Sequence, residues 1–306
     1  MSNKIILGSR GSKLSIAYAN KVLSLLSNIK PALDKEVILK TIKTSGDLFD
    51  KKKISEIGGK NLFCKEIEDK LISKEIDIAV HSLKDLDSVE TDGLVIQAYL
   101  KRNDPRDTLV SSKFKKLSEL NGQKIGSSSR RRELQLKQLN RNIKVKSIRG
   151  NIDTRIKKIE NGEYDGAILA LAGLKVLNLE KYAKEIFSLK DFLPTAGQGI
   201  VAVQCRAQDD HIKKILKEIN HKETETCALA ERSFLKTLGG DCDTAVGCTA
   251  ILNKKDIELK AQLFSDDGTK VFNITKTGKE NEPEVLGKLA GEEILKQSGK
   301  NFIKKR

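Results

Sequence analysis

Short β-branched runs alternate with stretches of helical periodicity through the first two thirds of this 306-residue chain, which restricts it to an α/β architecture with largely parallel sheets. IILG (5–8) precedes a helix on which Leu14, Tyr18, Val22, Leu25 and Leu26 recur at helical spacing. VILKTIK (37–43), a helix around 61–73 and IDIAVH (76–81) repeat the scheme, and LVIQAYL (94–100) closes a first unit. A second unit runs from KIGSSS (124–129) into a helix over 130–140, VKSIR (145–149) into a helix over 152–160, and the apolar strand GAILALA (166–172). RNDPRD (102–107) between them reads as a hinge. After the loop DFLPTAGQG (191–199) come the strand IVAVQCR (200–206) and a helix over 209–219. From about residue 222 the pattern changes to a helix, 224–238, then strands near 246–252, 257–264 and 270–276 and a closing helix, 283–297. The turn SDDGT (265–269) makes the last two strands a hairpin. The predicted organisation is a discontinuous α/β domain (1–100 and 199–219), a second α/β domain (104–193), and a small α+β domain (222–306) with a three-stranded antiparallel sheet.

A formal charge of +15 invites a nucleic-acid reading. Aromatic residues are only 4% of the chain, Trp is absent, and no basic segment interleaves Phe or Tyr as a base-stacking platform requires. The chain is therefore expected to bind neither nucleic acid nor membrane, since no apolar run is long enough to span a bilayer and the start, MSNKIILGSR, has no secretory character. Five cysteines (Cys64, Cys205, Cys227, Cys242 and Cys248) contain no CxxC pair, and only three histidines accompany them. That pattern predicts reduced thiols in a cytoplasmic protein and no metal site.

Twelve arginines stand against 45 lysines, and most fall in GSRGSKLS (8–15), RNDPRD (102–107), GSSSRRR (126–132) and RGNIDTR (149–155). The planar guanidinium fork suits carboxylate or phosphate oxygens, so the expected ligand is a small polyanion. In α/β units ligands bind beyond the carboxyl ends of the strands, where loops feed helix N-termini. Arg10, Lys84 with Asp85, Arg130 to Arg132, and Arg149 with Arg155 all follow predicted strands. Two facing units would then form one anionic-ligand cleft. Any one of these arginines could instead be a surface ion pair contributing roughly 0–1 kcal/mol, and Asp85 a turn residue. A two-lobed binding module without chemistry would explain the arginines equally well, but not an Asp85 following Lys84 at a strand end or a Gly-flanked cysteine, Cys242, opening a third domain.

The motifs GSRGSKLS (8–15), TSGD (44–47), GGKNLFCKEIEDKL (58–71), DIAVHSLKDL (77–86), DPRD (104–107), GSSSRRR (126–132), RGNIDTR (149–155), NGEYDGAILALAGL (161–174), PTAGQGIVAVQCR (194–206) and ERSFLKTLGGDCDTAVG (231–247) together resemble the porphobilinogen deaminase (hydroxymethylbilane synthase) family over essentially the whole chain. The resemblance implies two periplasmic-binding-protein-like α/β domains with the small third domain. It implies an enzyme that condenses four porphobilinogen molecules head to tail into hydroxymethylbilane with release of ammonia, acting as a monomer. It also implies a dipyrromethane cofactor joined by a thioether to the position that is Cys242 here. Gly239 and Gly240 agree with an exposed loop for that thiol, whereas Cys205, Cys227 and Cys248 lie in strand or helix patterns and read as inert.

By the same resemblance Asp85 is the catalytic carboxylate. Lys84, Asp85, Ser127, Ser128, Ser129, Arg131, Arg132 and Arg149 hold the cofactor, and Arg10, Ser12, Phe63, Arg149, Arg155 and Gln198 the substrate. A chain growing to six rings would gather about twelve carboxylates, which is the chemical demand that the arginines meet. The sequence departs from the family pattern at Lys13, Arg130 and Val176, and at Asp241 and Asp243, which flank Cys242. Two carboxylates beside the thiol disfavour the thiolate, and Arg130 is expected to offset them.

Overall fold

The computed structural model describes residues 4–29, 36–45, 64–239, 244–299 and 302. The chain divides into two compact units, one of residues 1–103 with 199–228 and the other of 104–198 with 229–306.

In the first unit, β1 (Lys4–Arg10), β2 (Glu36–Ile42), β3 (Ile78–Ser82), β4 (Leu94–Tyr99) and β10 (Val201–Arg206) form one sheet in the order β2-β1-β3-β10-β4. β1 is parallel to both β2 and β3, with Leu7 opposite Ile78, so Arg10 and Ser82 leave the sheet at the same edge. β10 runs antiparallel to both β3 and β4. Four of the five strands therefore run in one direction and β10 alone opposes them, so the sheet is largely parallel with a single reversed strand. IAVH and VAVQC are fully buried runs, and a strand covered on both faces reads as continuously apolar whichever way its neighbours point.

Helix α1 (Lys13–Asn28) starts at Ser12, whose side chain accepts from the Ser15 amide. Of the stripe its spacing predicts it buries Tyr18, Val22 and Leu26, together with Ala19, while Leu14 and Leu25 are half-buried. Helix α2 (Lys65–Ile72) is shorter than expected and puts Ile67 and Leu71 against Ile42, Ile76, Ala79 and Leu94. Helix α6 (Asp210–Lys217) follows β10 and is capped by Asp209.

In the second unit, β5 (Asp107–Val110), β6 (Lys124–Gly126), β7 (Lys144–Lys146), β8 (Gly166–Ala170) and β9 (Ala183–Ile186) order as β7-β6-β8-β5-β9. β6 is parallel to β7 and β8, while β5 is antiparallel to β8 and β9. The start of β5 therefore shares an edge with the ends of β6 and β8. Helices α3 (Arg130–Leu139) and α4 (Ile152–Glu160) leave that edge, and GAILALA splits into β8 and a short helix, α5 (Leu171–Val176). Leu109, Ile125, Leu136, Ile168 and Phe192 form the core, in which Phe192 stacks on Phe187 with ring centroids 4.8 Å apart.

The same unit holds the antiparallel sheet β11 (Val246–Asn253), β12 (Asp256–Phe264) and β13 (Val271–Lys279), with α7 (Lys222–Leu238) reaching it from Leu229 onward and α8 (Pro283–Ser298) closing the chain. β12 buries Ile257, Leu259, Ala261 and Leu263 in strict alternation, as one solvated face requires. A Cβ on Gly287 would lie 2.2 Å from the Ala230 carbonyl oxygen, so this glycine is what lets α8 approach α7. The α/β architecture and the small three-stranded antiparallel sheet are those the sequence pattern predicts.

Candidate active site

At the sheet edge of the first unit, β1 delivers Arg10 and β3 runs into a 3-10 turn, Leu83–Asp85. Parallel pairing of β1 and β3 brings these strand ends together. Arg10, Ser15, Tyr18, Cys64, Val80, His81, Ser82 and Asp85 line one small cleft there. The turn is fixed from two sides, because the Leu83 amide donates to the Ile200 carbonyl at 3.0 Å and the Cys64 thiol to the Asp85 carbonyl at 3.4 Å. Asp85 is half-buried. Burial, and secondarily the charge of Asp85, push the Tyr18 hydroxyl up to about 12, and the same two causes raise the Cys64 thiol well above its usual range. Both groups stay protonated at neutral pH, which leaves Asp85 as the anionic side chain of the cleft.

His81 is 5% exposed, and its Nε2 has no hydrogen-bond partner among the described residues. Burial drives its pKa down to about 4, with the neighbouring Arg10 adding to the fall against a contact from Gln204. The imidazole is neutral. Behind it the Gln204 amide donates to Glu68 at 2.9 Å, and the Thr91 hydroxyl donates to the other Glu68 oxygen at 2.8 Å. Ser12 caps α1 and its hydroxyl lies 2.8 Å from that of Ser15. Lys84 is half-buried beside Asp85.

The edge of the second unit carries Ser127 to Ser129, which lead from β6 into α3. Ser129 is the N-cap and accepts from the Arg132 amide; its own amide donates to Ser127 Oγ at 3.2 Å. Ser128 Oγ lies 2.8 Å from Ser147 Oγ and donates to the Ile148 carbonyl at 2.8 Å. After β7, Arg149 precedes Gly150, whose φ of 102° is a left-handed conformation that a side chain would strain. Arg155, on α4, returns its Nε to the Gly150 carbonyl at 2.8 Å and so holds that turn. The half-buried Arg149 side chain makes no hydrogen bond or ion pair among the described residues. Its backbone carbonyl accepts from Lys158 at 3.3 Å.

Beneath the serines, Arg131 and Arg132 are 4% and 8% exposed and converge on Asp107, which is fully buried. Arg132 donates Nη2 to Oδ1 at 2.7 Å and Nε to Oδ2 at 3.2 Å, while Arg131 donates Nη2 to Oδ2 at 2.9 Å. Gln198 donates to Oδ1 at 2.8 Å and to the Pro105 carbonyl at 2.7 Å. The remaining Nη1 groups donate to backbone carbonyls, Arg131 to Leu193 at 2.6 Å and Arg132 to Ile168 at 3.0 Å. Burial would raise the Asp107 carboxyl, but the two guanidiniums outweigh it and hold it well below the carboxylate range. Burial likewise brings Arg131 down to about 10. Two cations against one carboxylate leave a net positive charge, and Arg131 Nε has no acceptor among the described residues. This donor set fits an anionic group bearing carboxylates.

The structure therefore gathers Arg10 and Asp85 in one unit, and Ser127, Ser129, Arg131, Arg132 and Gln198 in the other. Cys242, Phe63, Asp241 and Asp243 lie outside the described residues. Arg130 is engaged with Glu133 at 2.7 Å and the Asp266 carbonyl at 2.5 Å. Sequence reasoning missed Asp107, although it sits in the DPRD stretch, because a lone Asp at a strand start carries no signal of four donors converging on it. It also missed His81 and Tyr18, whose chemistry comes mainly from burial in the fold.

Family models for the porphobilinogen deaminase dipyrromethane cofactor-binding domain and C-terminal domain match residues 5–214 and 225–296. The chain belongs to the porphobilinogen deaminase family. Relatives named porphobilinogen deaminase include those of Nitrobacter hamburgensis (38% identical, covering 97% of this chain and 94% of that one) and Chlorobium phaeovibrioides (39%, covering 99% and 98%). That of Brevibacillus brevis is 41% identical over 97% of this chain and 96% of its own. Among solved structures, the periplasmic VFT2 domain of BvgS from Bordetella pertussis aligns at 13% identity with a TM-score of 0.44 over 71% of this chain and 86% of that one, a likeness that bears no weight. As a family member the chain is a transferase of tetrapyrrole biosynthesis that condenses four porphobilinogen molecules into hydroxymethylbilane with release of ammonia, and residues 5–214 are its cofactor-binding region. Family membership sets aside the non-enzymatic binding module.

Proposed function

We propose that Asp85 is the carboxylate that carries the chemistry of this condensation, and the observation behind that reading is its place in the Arg10 cleft on a turn tied down by Cys64 and Ile200. Porphobilinogen is an aminomethylpyrrole with acetate and propionate arms. Loss of ammonia leaves a cation on the former aminomethyl carbon and pyrrole nitrogen of the incoming unit; attack by the free carbon of the terminal ring then forms the carbon–carbon bond and releases a proton. Asp85 accepts the pyrrole N–H, stabilises the cation and takes up the proton. Arg10 and Ser12 meet the carboxylates of the incoming unit, and the protonated Tyr18 and Cys64 add no competing anion.

Arg149 and Arg155 are assigned to substrate or cofactor carboxylates. Lys84, Ser127, Ser128, Ser129, Arg131 and Arg132 hold the dipyrromethane, with Gln198 and Phe63 on the substrate side. Joined to Cys242, the cofactor supplies the terminal pyrrole carbon from which the chain grows. Three domains with the boundaries drawn from the sequence, a cytoplasmic location and a monomeric state complete the reading. Support for the last two comes from the burial of Cys64, Cys205, Cys227 and Cys248 and from a net charge of +15, which opposes self-association.

The test is Asp85→Asn, which keeps size and hydrogen bonding but not charge. Turnover of cofactor-loaded protein, read as ammonia release at saturating porphobilinogen, should fall about a hundredfold or more, the magnitude for removal of one preorganised electrostatic partner. Near-normal turnover would place the proton transfer on another group.

A further inference from the structure

Both oxygens of Asp107 are saturated, each by two donors, and every donor belongs to Arg131, Arg132 or Gln198. The carboxylate is fully buried at the first residue of β5, and strand pairing of Asp107 with Ala170 on one side fixes where it stands. Arg131 and Arg132 are consecutive residues in the first turn of α3, so their side chains leave the helix about 100° apart. Without a shared acceptor they would diverge. Asp107 turns both toward the β5–β8 edge, and the carbonyls of Leu193 and Ile168 complete the clamp.

We propose that Asp107 is a positioning residue for the reaction: it sets the guanidiniums of Arg131 and Arg132, together with the Gln198 amide, in the one arrangement that receives cofactor carboxylates. A charge balance supports this. One carboxylate against two guanidiniums holds the pair together yet leaves one positive charge, and the unmatched Arg131 Nε marks where capacity remains. A second carboxylate in the cluster would cancel that charge, and none would let the two cations repel. The inference rests on the assignment of Arg131 and Arg132 to the cofactor.

The test uses full-length protein and two readouts, the fraction of chains carrying the covalent dipyrrole by intact mass and the KM for porphobilinogen of the loaded fraction. Asp107→Asn should lower the loaded fraction or raise KM tenfold or more at temperatures where the protein remains folded. Leu109→Ala, a core truncation two residues along the same strand, should lose stability while keeping both values. Because Asp107→Asn strands two buried cations and can fail to fold, the deciding variant is Asp107→Asn with Arg132→Gln, which restores the charge of the cluster. If Asp107 acts through the arginines, the double variant loses less in loading and KM than the product of the losses in Asp107→Asn and Arg132→Gln taken singly. Losses that multiply in the double variant, or wild-type values in Asp107→Asn, would overturn the proposal. Wild-type protein run alongside separates the two levels: loading intact there but indifferent to Arg132→Gln defeats the cofactor assignment of that arginine, whereas loading sensitive to Arg132→Gln and indifferent to Asp107 defeats only the positioning role.

Discussion

Burial determines how His81 behaves as pH is lowered. In the unfolded chain an ordinary histidine takes a proton near pH 6.5, whereas in the folded protein His81 resists protonation until about 4, because it is desolvated and faces Arg10. The unfolded state therefore binds more protons through this window, and stability must fall as pH drops from 6.5 to about 4, with no further loss from this group below that. The span corresponds to up to about 3 kcal/mol. Urea unfolding at pH 7 and pH 4.5 should show the loss in the wild type, and His81→Gln should flatten it. An equal pH slope in both proteins would assign the loss to other groups. Asp107 acts in the same sense at lower pH, since its carboxyl is also held down: its stabilising contribution is intact above the ordinary carboxylate range and is lost only as pH falls through far more acid conditions.

At the scale of elements, packing depends on contacts too close for a side chain. Gly287 on α8 is set against the Ala230 carbonyl and the Phe234 amide of α7, at 2.2 and 2.8 Å from a would-be Cβ. Backbone cannot yield as a flexible side chain does. Gly287→Ala should thus push the helices apart and cost about 1–3 kcal/mol, seen as a lower urea midpoint, while ammonia release per folded molecule is unchanged because no proposed site residue lies on α8. An unchanged midpoint would mean that the helices separate freely. Elements of this kind were largely legible in the sequence: α4 falls on 152–160 as its spacing predicts, and β12 shows the alternation of a one-sided strand. Strand direction was not legible, because β10 and β3 are buried on both faces and carry no polarity that tells parallel from antiparallel. Of the candidate site, Arg10 and Asp85 could be placed together from strand-end logic. The Asp107 clamp could not, since it depends on β5 running against β8, a pairing over some sixty residues of intervening chain that local pattern does not encode.

At the scale of the whole molecule, one thiol among five must be accessible to a pyrrole. Cys64, Cys205, Cys227 and Cys248 are all buried, and burial raises the thiols of Cys64 and Cys205, the latter to about 12. Thiols so placed are poor nucleophiles. The proposed attachment therefore rests on Cys242, as the family resemblance implies, with Asp241 and Asp243 beside it in the sequence. Purified wild-type protein should be heavier than its translated chain by a covalent dipyrrole and should colour with an acidic aldehyde reagent. Cys242→Ala should have the translated mass, give no colour and release no ammonia from porphobilinogen, with a circular dichroism spectrum and urea midpoint like those of unloaded wild-type chain. Comparison with unloaded chain matters, because a ligand bound only to the folded state raises apparent stability by mass action, and loss of the cofactor would otherwise pass for loss of fold. A Cys242→Ala protein that still carried the added mass would place the attachment on one of the buried cysteines, and would require local opening of the core that now encloses it.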